Sequence, residues 1–303
     1  MIKDTLIRYR KVDCTTTAYL LLSIILITLF RNNIDNFHIF LLLNASLTVL
    51  IFFLIFWDEK SPVPFISLIR DWYPIILFTF LFEETGWINR TIFPDYIDKF
   101  FIELEFRLFG LHPAIELGRL FDNILVMEYF HFAYFTYYLI IPGLGFILYF
   151  NNRKHFEEYV FVASFTFYAC LVSYIFLPVL GARYYANAPF FAEPFWKEGI
   201  LFVPIMRFIY AVGEVDGAAF PSSHVAIALV ILIYAYIYAR KYFWLFFITI
   251  ISLIISTVYC RFHYLVDVMA GAVWALGGFW AGRKLYFKGR FGCNSKVLIS
   301  GKD

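Results

Sequence analysis

The sequence predicts an all-α, polytopic membrane bundle of about eight transmembrane helices, with one amphipathic helix lying in the interface. Three observations carry this. Of 303 residues, 62% are hydrophobic and 16% charged, against roughly 45–50% and about 25% in a soluble domain. Mean hydropathy is +0.73. The apolar residues gather in runs close to the roughly 20 residues that a bilayer core demands. A formal net charge of +2 gives no basis for binding nucleic acid. Four scattered cysteines (Cys14, Cys170, Cys260, Cys293) form no metal or redox pair, and Cys170 and Cys260 read as helix packing.

The basic segment 1–13 precedes the first apolar run without a small-residue cleavage site, so it reads as a retained anchor with a cytoplasmic N-terminus. The eight spans fall at about residues 14–30, 37–57, 66–82, 126–150, 159–180, 222–238, 242–259 and 264–282. The third carries Arg70 and Asp71 near its start. These are placed at the interface beside Trp72 and Tyr73, residues that suit that depth. Residues 83–123 are polar and aromatic. Within them, 96–111 mixes Phe100, Phe101, Leu104, Leu108 and Phe109 with charges at helical spacing, which predicts the interfacial helix. Gly110 and Pro113 should end it. A second long polar connection is expected over 181–219. Lys60, Arg153 and Lys154, Arg240 and Lys241, and Arg283 and Lys284 lie in short loops, which puts those loops on the cytoplasmic side. The two long connections and the 259–263 turn then share the extracytoplasmic, or lumenal, face. The expected division is N-terminal helices over 1–65, a catalytic membrane domain over 66–290 and a polar tail over 291–303.

Three polar clusters lie at the outer ends of the last four spans. Residues 178–185 carry Arg183, residues 218–224 carry Ser222, Ser223 and His224, and residues 259–268 carry His263 and Asp267. Pro221 suits the first turn of a helix, where the amides of Ser222, Ser223 and His224 would favour an anion. A histidine on that turn can move a proton near neutral pH. His263 and Asp267 are four apart, so on a helix they share a face, and a carboxylate on one imidazole nitrogen leaves the other free to attack. An aspartate inside an apolar span is costly unless it is paired or functional. Together the clusters fit phosphoryl transfer: His263 as nucleophile, His224 as acid, Arg183 as clamp and the Ser222 and Ser223 amides as oxyanion donors. Tyr185 and Asp216 are possible substrate contacts, and Glu83 and Glu84 can hydrogen-bond a polyol. Each feature also has a plainer reading: a helix cap, a helix-stabilising His–Asp contact, a snorkelling arginine, belt tyrosines at 184 and 185, solvated loop acids, and His112 as a turn residue.

The stretch Pro221-Ser222-Ser223-His224, with Ser256, Tyr259, His263, Asp267 and Val268 spaced as Ser-x-x-Tyr-x-x-x-His-x-x-x-Asp-Val, resembles two motifs of the type 2 phosphatidic acid phosphatase (PAP2) and vanadium haloperoxidase superfamily. The resemblance covers about residues 183–271. It implies a PAP2-type helical core, a phosphohistidine formed on His263, protonation of the leaving group by His224, and Asp267 as orienting acid. It requires no metal or cofactor. Ser223 stands where many members have Gly. Two positions depart further: Thr257 stands where the third motif usually has Arg, and Phe176 where the first usually has Lys. The expected phosphate cradle lacks two cations, one of which Arg261 can replace; Tyr259 and Arg261 join the possible substrate contacts. Loss of those cations resembles the inositolphosphotransferase branch, which includes the fungal inositol phosphorylceramide synthases. So do Trp72-Tyr73-Pro74, Phe82-Glu83-Glu84-Thr85-Gly86, Phe109-Gly110-Leu111-His112-Pro113 and Tyr134-Phe135-Thr136-Tyr137-Tyr138. Such enzymes pass a phospho-headgroup from a phospholipid to a second lipid alcohol.

The expectation is therefore a phospho-headgroup transferase in the bilayer, acting on a phospholipid or polyprenyl phosphate with a possible lipid alcohol as acceptor. The alternatives are a lipid phosphate phosphatase acting on phosphatidate or a prenyl (di)phosphate, and a non-catalytic transporter or scaffold that keeps the bundle. A haem held by two histidines has no supporting Met or second His pair.

Overall fold

The structure, a computed structural model, describes residues 9–60, 63–182, 199–213 and 215–288. Among these residues it is all helix apart from loops and one isolated bridge. The helices are α1 Lys11–Leu29, α2 Phe37–Lys60, α3 Pro64–Ile88, α4 Asp98–Phe109, α5 Pro113–Leu120, α6 Ile124–Phe135, α7 Tyr137–Asn151, α8 Arg153–Phe176, α9 Phe202–Gly213, α10 Ser223–Tyr238, α11 Phe243–Tyr259 and α12 Leu265–Phe287. Six of them, α1, α2, α3, α8, α11 (with the turn before it) and α12, are long and apolar enough to cross a bilayer. The pair α6 and α7, bent by 42°, makes a seventh if it is one span. The chain is a multi-pass membrane protein. The expected sixth span is α10, whose 16 residues rise only about 24 Å at 1.5 Å each, a turn short of a roughly 30 Å hydrocarbon core.

Helix α8 is the axis. It is buried on nearly every face, the signature of a helix apolar all round. It packs against α1, α3, α7, α10 and α12. Gly271 lets α12 cross close to the start of α10, because a Cβ there would meet the Ser222 carbonyl at 2.6 Å.

The end of the bundle away from the histidines is locked by charge. Arg70 is 1% exposed and binds Asp13 at 3.1 Å, Asp58 at 2.8 Å and Glu59 at 2.9 Å. Tyr73 donates to Asp13 at 2.9 Å, and Arg153 binds Asp71. The sequence places Arg70 and Asp71 at a membrane interface; the structure buries both inside the protein, where they tie α1, α2, α3 and α8 together. Long-range pairing of this kind leaves no trace in spacing. Cys14 is disulfide-bonded, while Cys170 and Cys260 are buried in the helix packing.

Two helices arise where only polar connections were expected. The short α5 follows Pro113, and α9 lies inside the second long connection. The interfacial helix is α4, ended by Gly110 in the left-handed region (φ 69°). Its buried stripe is Asp98, Phe101 and Glu105, while Phe100, Phe106 and Leu108 face outward. Asp98 and Glu105 therefore point into the protein, and Phe100 and Phe106 away from it.

Candidate active site

Residues 178–182, 217–224 and 259–268 meet at one end of the bundle, and backbone contacts join them. Val179 and Ala218 form a parallel bridge, with the Val179 amide donating to Gly217 at 3.3 Å and the Ala219 amide to Val179 at 2.9 Å. Gly181 (φ 89°) passes so close to the next cluster that a Cβ would lie 2.5 Å from the Phe262 carbonyl. The Ser222 amide donates to the Asp267 carbonyl at 3.1 Å.

Helix α10 starts at Ser223, capped by the Ser222 hydroxyl, which accepts from the Val225 amide at 3.4 Å. Pro221, joined to Phe220 by a cis peptide, thus precedes the cap instead of forming the first turn. The sequence reading has the Ser222 and Ser223 amides facing an anion. In the structure the first is taken by Asp267 and the second by the Tyr174 hydroxyl at 3.2 Å. Both residues are buried, so they build the loop and hold the ends of α8, α10 and α12 in register.

His224, in the first turn of α10, brings its ring to 5.7 Å from that of His263, centre to centre. Its Nε2 lies 2.9 Å from the Tyr134 hydroxyl. Tyr134 and Tyr137, on either side of the α6–α7 break, wall it in at 4.8 and 4.3 Å. His263 precedes α12 instead of riding on it. Its Nδ1 lies 3.5 Å from Asp267 Oδ2, and the same oxygen accepts the Tyr264 amide at 2.9 Å. The four-residue spacing thus works across a helix start, and Asp267 both caps α12 and backs the imidazole. The carboxylate lies on the Nδ1 side of the imidazole, an arrangement that favours a proton on Nδ1 over one on Nε2.

Arg261 lies in the turn that joins α11 to α12, in the left-handed region (φ 59°) and 8% exposed. It lies on no helix. The turn is held by the Thr257 carbonyl, which accepts the Phe262 and His263 amides, each at 3.0 Å. The side chain of Thr257 is turned back to the Ile254 carbonyl, and Phe176 is 46% exposed, so neither position supplies a cation. Tyr259 sends its hydroxyl to the Phe121 carbonyl at 2.8 Å and stacks near Phe130; it anchors α11 to the α5–α6 connection. Asp216 is exposed, and its carbonyl accepts from Asn89. Glu84 is buried against Asn44 inside the first three helices, away from any headgroup, whereas Glu83 is exposed. Arg183, Tyr184 and Tyr185 lie outside the described residues.

No role for Asp98 and Glu105 of α4 follows from spacing alone, yet they hold the site. Asp98 accepts from the Leu180 amide at 2.9 Å, the Gly181 amide at 3.1 Å and the Tyr264 hydroxyl at 3.0 Å. Burial still raises its carboxyl above the usual range against those three bonds. Glu105 accepts from the Leu265 amide at 2.6 Å. Burial pushes its carboxyl up to about 7; the Leu265 amide opposes the rise and the charge of Asp267 adds to it. Its other oxygen is 3.6 Å from Nδ1 of His112, whose own affinity for a proton burial lowers. Burial therefore opposes both charges of this pair. Asp98 and Glu105 lie seven apart, two turns along one helical face with Phe101 between them, and that was the available signal.

Opposite α4, α9 covers the histidines. Glu128 of α6 accepts the amides of Ile200, Leu201 and Phe202 at 2.5, 3.1 and 2.6 Å, seating the start of α9. Tyr210 of α9 stacks on Phe262 at 4.5 Å and donates to the Tyr134 hydroxyl at 2.7 Å.

A profile of the PAP2 superfamily matches residues 99–281, more than half of the chain and all three clusters. The chain belongs to the PAP2 superfamily. No curated protein and no solved structure matches it. PAP2 proteins are generally phosphatases or phosphotransferases. The matched stretch begins in α4, one residue after Asp98, and ends within α12, so the helices that carry the histidines and most of those that brace them are the PAP2 portion of the chain.

Proposed function

We propose that the protein is a membrane phospho-headgroup transferase of the inositolphosphotransferase kind, working through a phosphohistidine. The observation that carries this is the pair of imidazoles 5.7 Å apart, one backed by a carboxylate and the other not. That asymmetry separates a nucleophile from a proton carrier. Nε2 of His263 attacks phosphorus, the bond from phosphorus to the leaving alcohol breaks, and His224 gives that oxygen its proton. An acceptor hydroxyl then attacks the phosphohistidine, its proton passes to His224, and the P–N bond breaks. Asp267 stabilises the imidazolium that His263 becomes, and Arg183 and Arg261 supply positive charge to the equatorial oxygens.

Two features favour transfer to an alcohol over hydrolysis: the missing cations at Thr257 and Phe176, and the cover that α9 and α4 place over the site. A lipid donor is supported by an apolar groove of about 390 Å³ on the flank of α6, lined by Phe121, Leu125, Val126, Tyr129 and Phe130.

The test uses full-length protein in micelles with phosphatidylinositol labelled in the phosphate, with and without ceramide. Acid-labile label on the protein, absent in His263→Ala, and labelled headgroup on ceramide are expected. Label released as inorganic phosphate from phosphatidate would make the enzyme a phosphatase. Equal turnover by wild type and His263→Ala would overturn the assigned nucleophile, and no labelling or turnover of either lipid would favour the transporter or scaffold.

A further inference from the structure

We propose that Tyr134 and Tyr210 are positioning residues that fix the tautomer of His224, so that it exchanges its proton with substrate through Nδ1 alone. The inference deepens the reaction proposed above and rests on it for its kinetic meaning.

A phenol hydroxyl has one hydrogen to give and two lone pairs to accept with. Tyr210 donates to the Tyr134 oxygen at 2.7 Å. Tyr134 then holds its own hydrogen within reach of Nε2 of His224, at 2.9 Å. An Nε2 that accepts is unprotonated, so neutral His224 carries its hydrogen on Nδ1. Nδ1 is enclosed and has no hydrogen-bond partner among the described residues, which marks it as the nitrogen left for substrate. The flanking rings of Tyr134 and Tyr137 keep the imidazole from turning over.

The arrangement also serves the charged form. When His224 is an imidazolium, Nε2 bears a hydrogen and donates it to the Tyr134 oxygen, whose own hydrogen turns away. Loss of the Nδ1 proton to the leaving alcohol returns Nε2 to an acceptor and the Tyr134 hydrogen to it. In the second half, Nδ1 takes the acceptor's proton back. Protons balance over the two halves, and Nε2 never meets substrate.

Tyr210 makes this depend on α9. Its hydroxyl reaches Tyr134 only with α9 seated by Glu128 and with Phe262, the neighbour of His263, packed between the two tyrosines at 4.2 and 4.5 Å. The helix that covers the site thus also sets the hydrogen pattern of the acid.

The deciding experiment is nitrogen NMR of the full chain in micelles, with 15N in the histidine rings and His224 assigned by difference from His224→Gln. An Nδ1–H tautomer is expected in wild type, with a substantial Nε2–H population in Tyr134→Phe and a smaller one in Tyr210→Phe. An Nε2–H tautomer in wild type, or an unchanged tautomer in both variants, overturns the proposal. Transfer of labelled headgroup from phosphatidylinositol to ceramide is the second readout: Tyr134→Phe should lower kcat about 10- to 100-fold with KM within about twofold. The spectrum needs no turnover, so active His263→Ala would sink the reaction scheme while leaving the tautomer result to stand or fall separately. Tyr210→Phe, at a half-buried site, keeps the test open if Tyr134→Phe does not fold.

Discussion

Glu105 accepts the amide hydrogen of Leu265 at 2.6 Å: a helix lying along the membrane grips the first residue of the helix that carries Asp267. The grip is stronger when Glu105 is charged, but the charge is costly in a buried setting. With the carboxyl raised to about 7 from an ordinary 4.5, the folded protein holds a proton that the unfolded chain releases. The contribution is therefore fully present below pH 4.5 and is lost as pH rises through 7. Glu105→Gln keeps the acceptor and removes the titration. It should flatten the fall in melting temperature between pH 5 and 7.5, a fall worth on the order of 3 kcal/mol in wild type. An unchanged slope in Glu105→Gln would mean that Glu105 does not titrate in that window.

Asp267 does two things with one oxygen, capping α12 and backing His263. Asp267→Asn can still accept from the Tyr264 amide but cannot stabilise an imidazolium. Turnover of labelled phosphatidylinositol should fall about 100-fold, with a melting temperature within a few degrees of wild type. Equal losses of fold and of turnover would reduce Asp267 to a cap.

Gly181→Ala combines a left-handed backbone with a contact 2.5 Å from the Phe262 carbonyl. The strain is about 1–3 kcal/mol, and the atom it presses on belongs to the residue before His263. Activity should drop far more than the melting temperature does; a variant as active as wild type would show that the first and third clusters tolerate separation.

Arg70→Met leaves Asp13 and Asp58 buried beside an uncharged side chain. Stability should fall by about 3–5 kcal/mol, read as lost yield and a lower melting temperature. The surviving folded protein should keep its turnover per molecule, because the cluster lies at the end of the bundle away from His263. Normal stability would mean that water reaches the cluster.

Apolar run length was enough to place the spans, since a bilayer core sets nearly the same requirement for each of them. It failed at α9, where Pro204 and Arg207 break an apolar run of helix length into what reads as a connection. The histidines and Asp267 were legible because their chemistry needs fixed residue types at fixed spacing. The partners of the Ser222 and Ser223 amides were not, because Asp267 and Tyr174 are distant in sequence. Tyr134 stood in a recognised stretch, yet only the fold sets it against His224. Asp98 and Glu105 read as surface charges of an interfacial helix because hydropathy reports how often a residue type meets solvent and is silent on which side of a helix the protein lies.

The brevity of α10 sets a depth. Its 16 residues rise about one turn less than a hydrocarbon core, so one of its ends lies inside the bilayer or the surrounding leaflets thin to meet it. On the reaction proposed above, bilayers of shorter acyl chains should then support faster turnover than sterol-thickened ones.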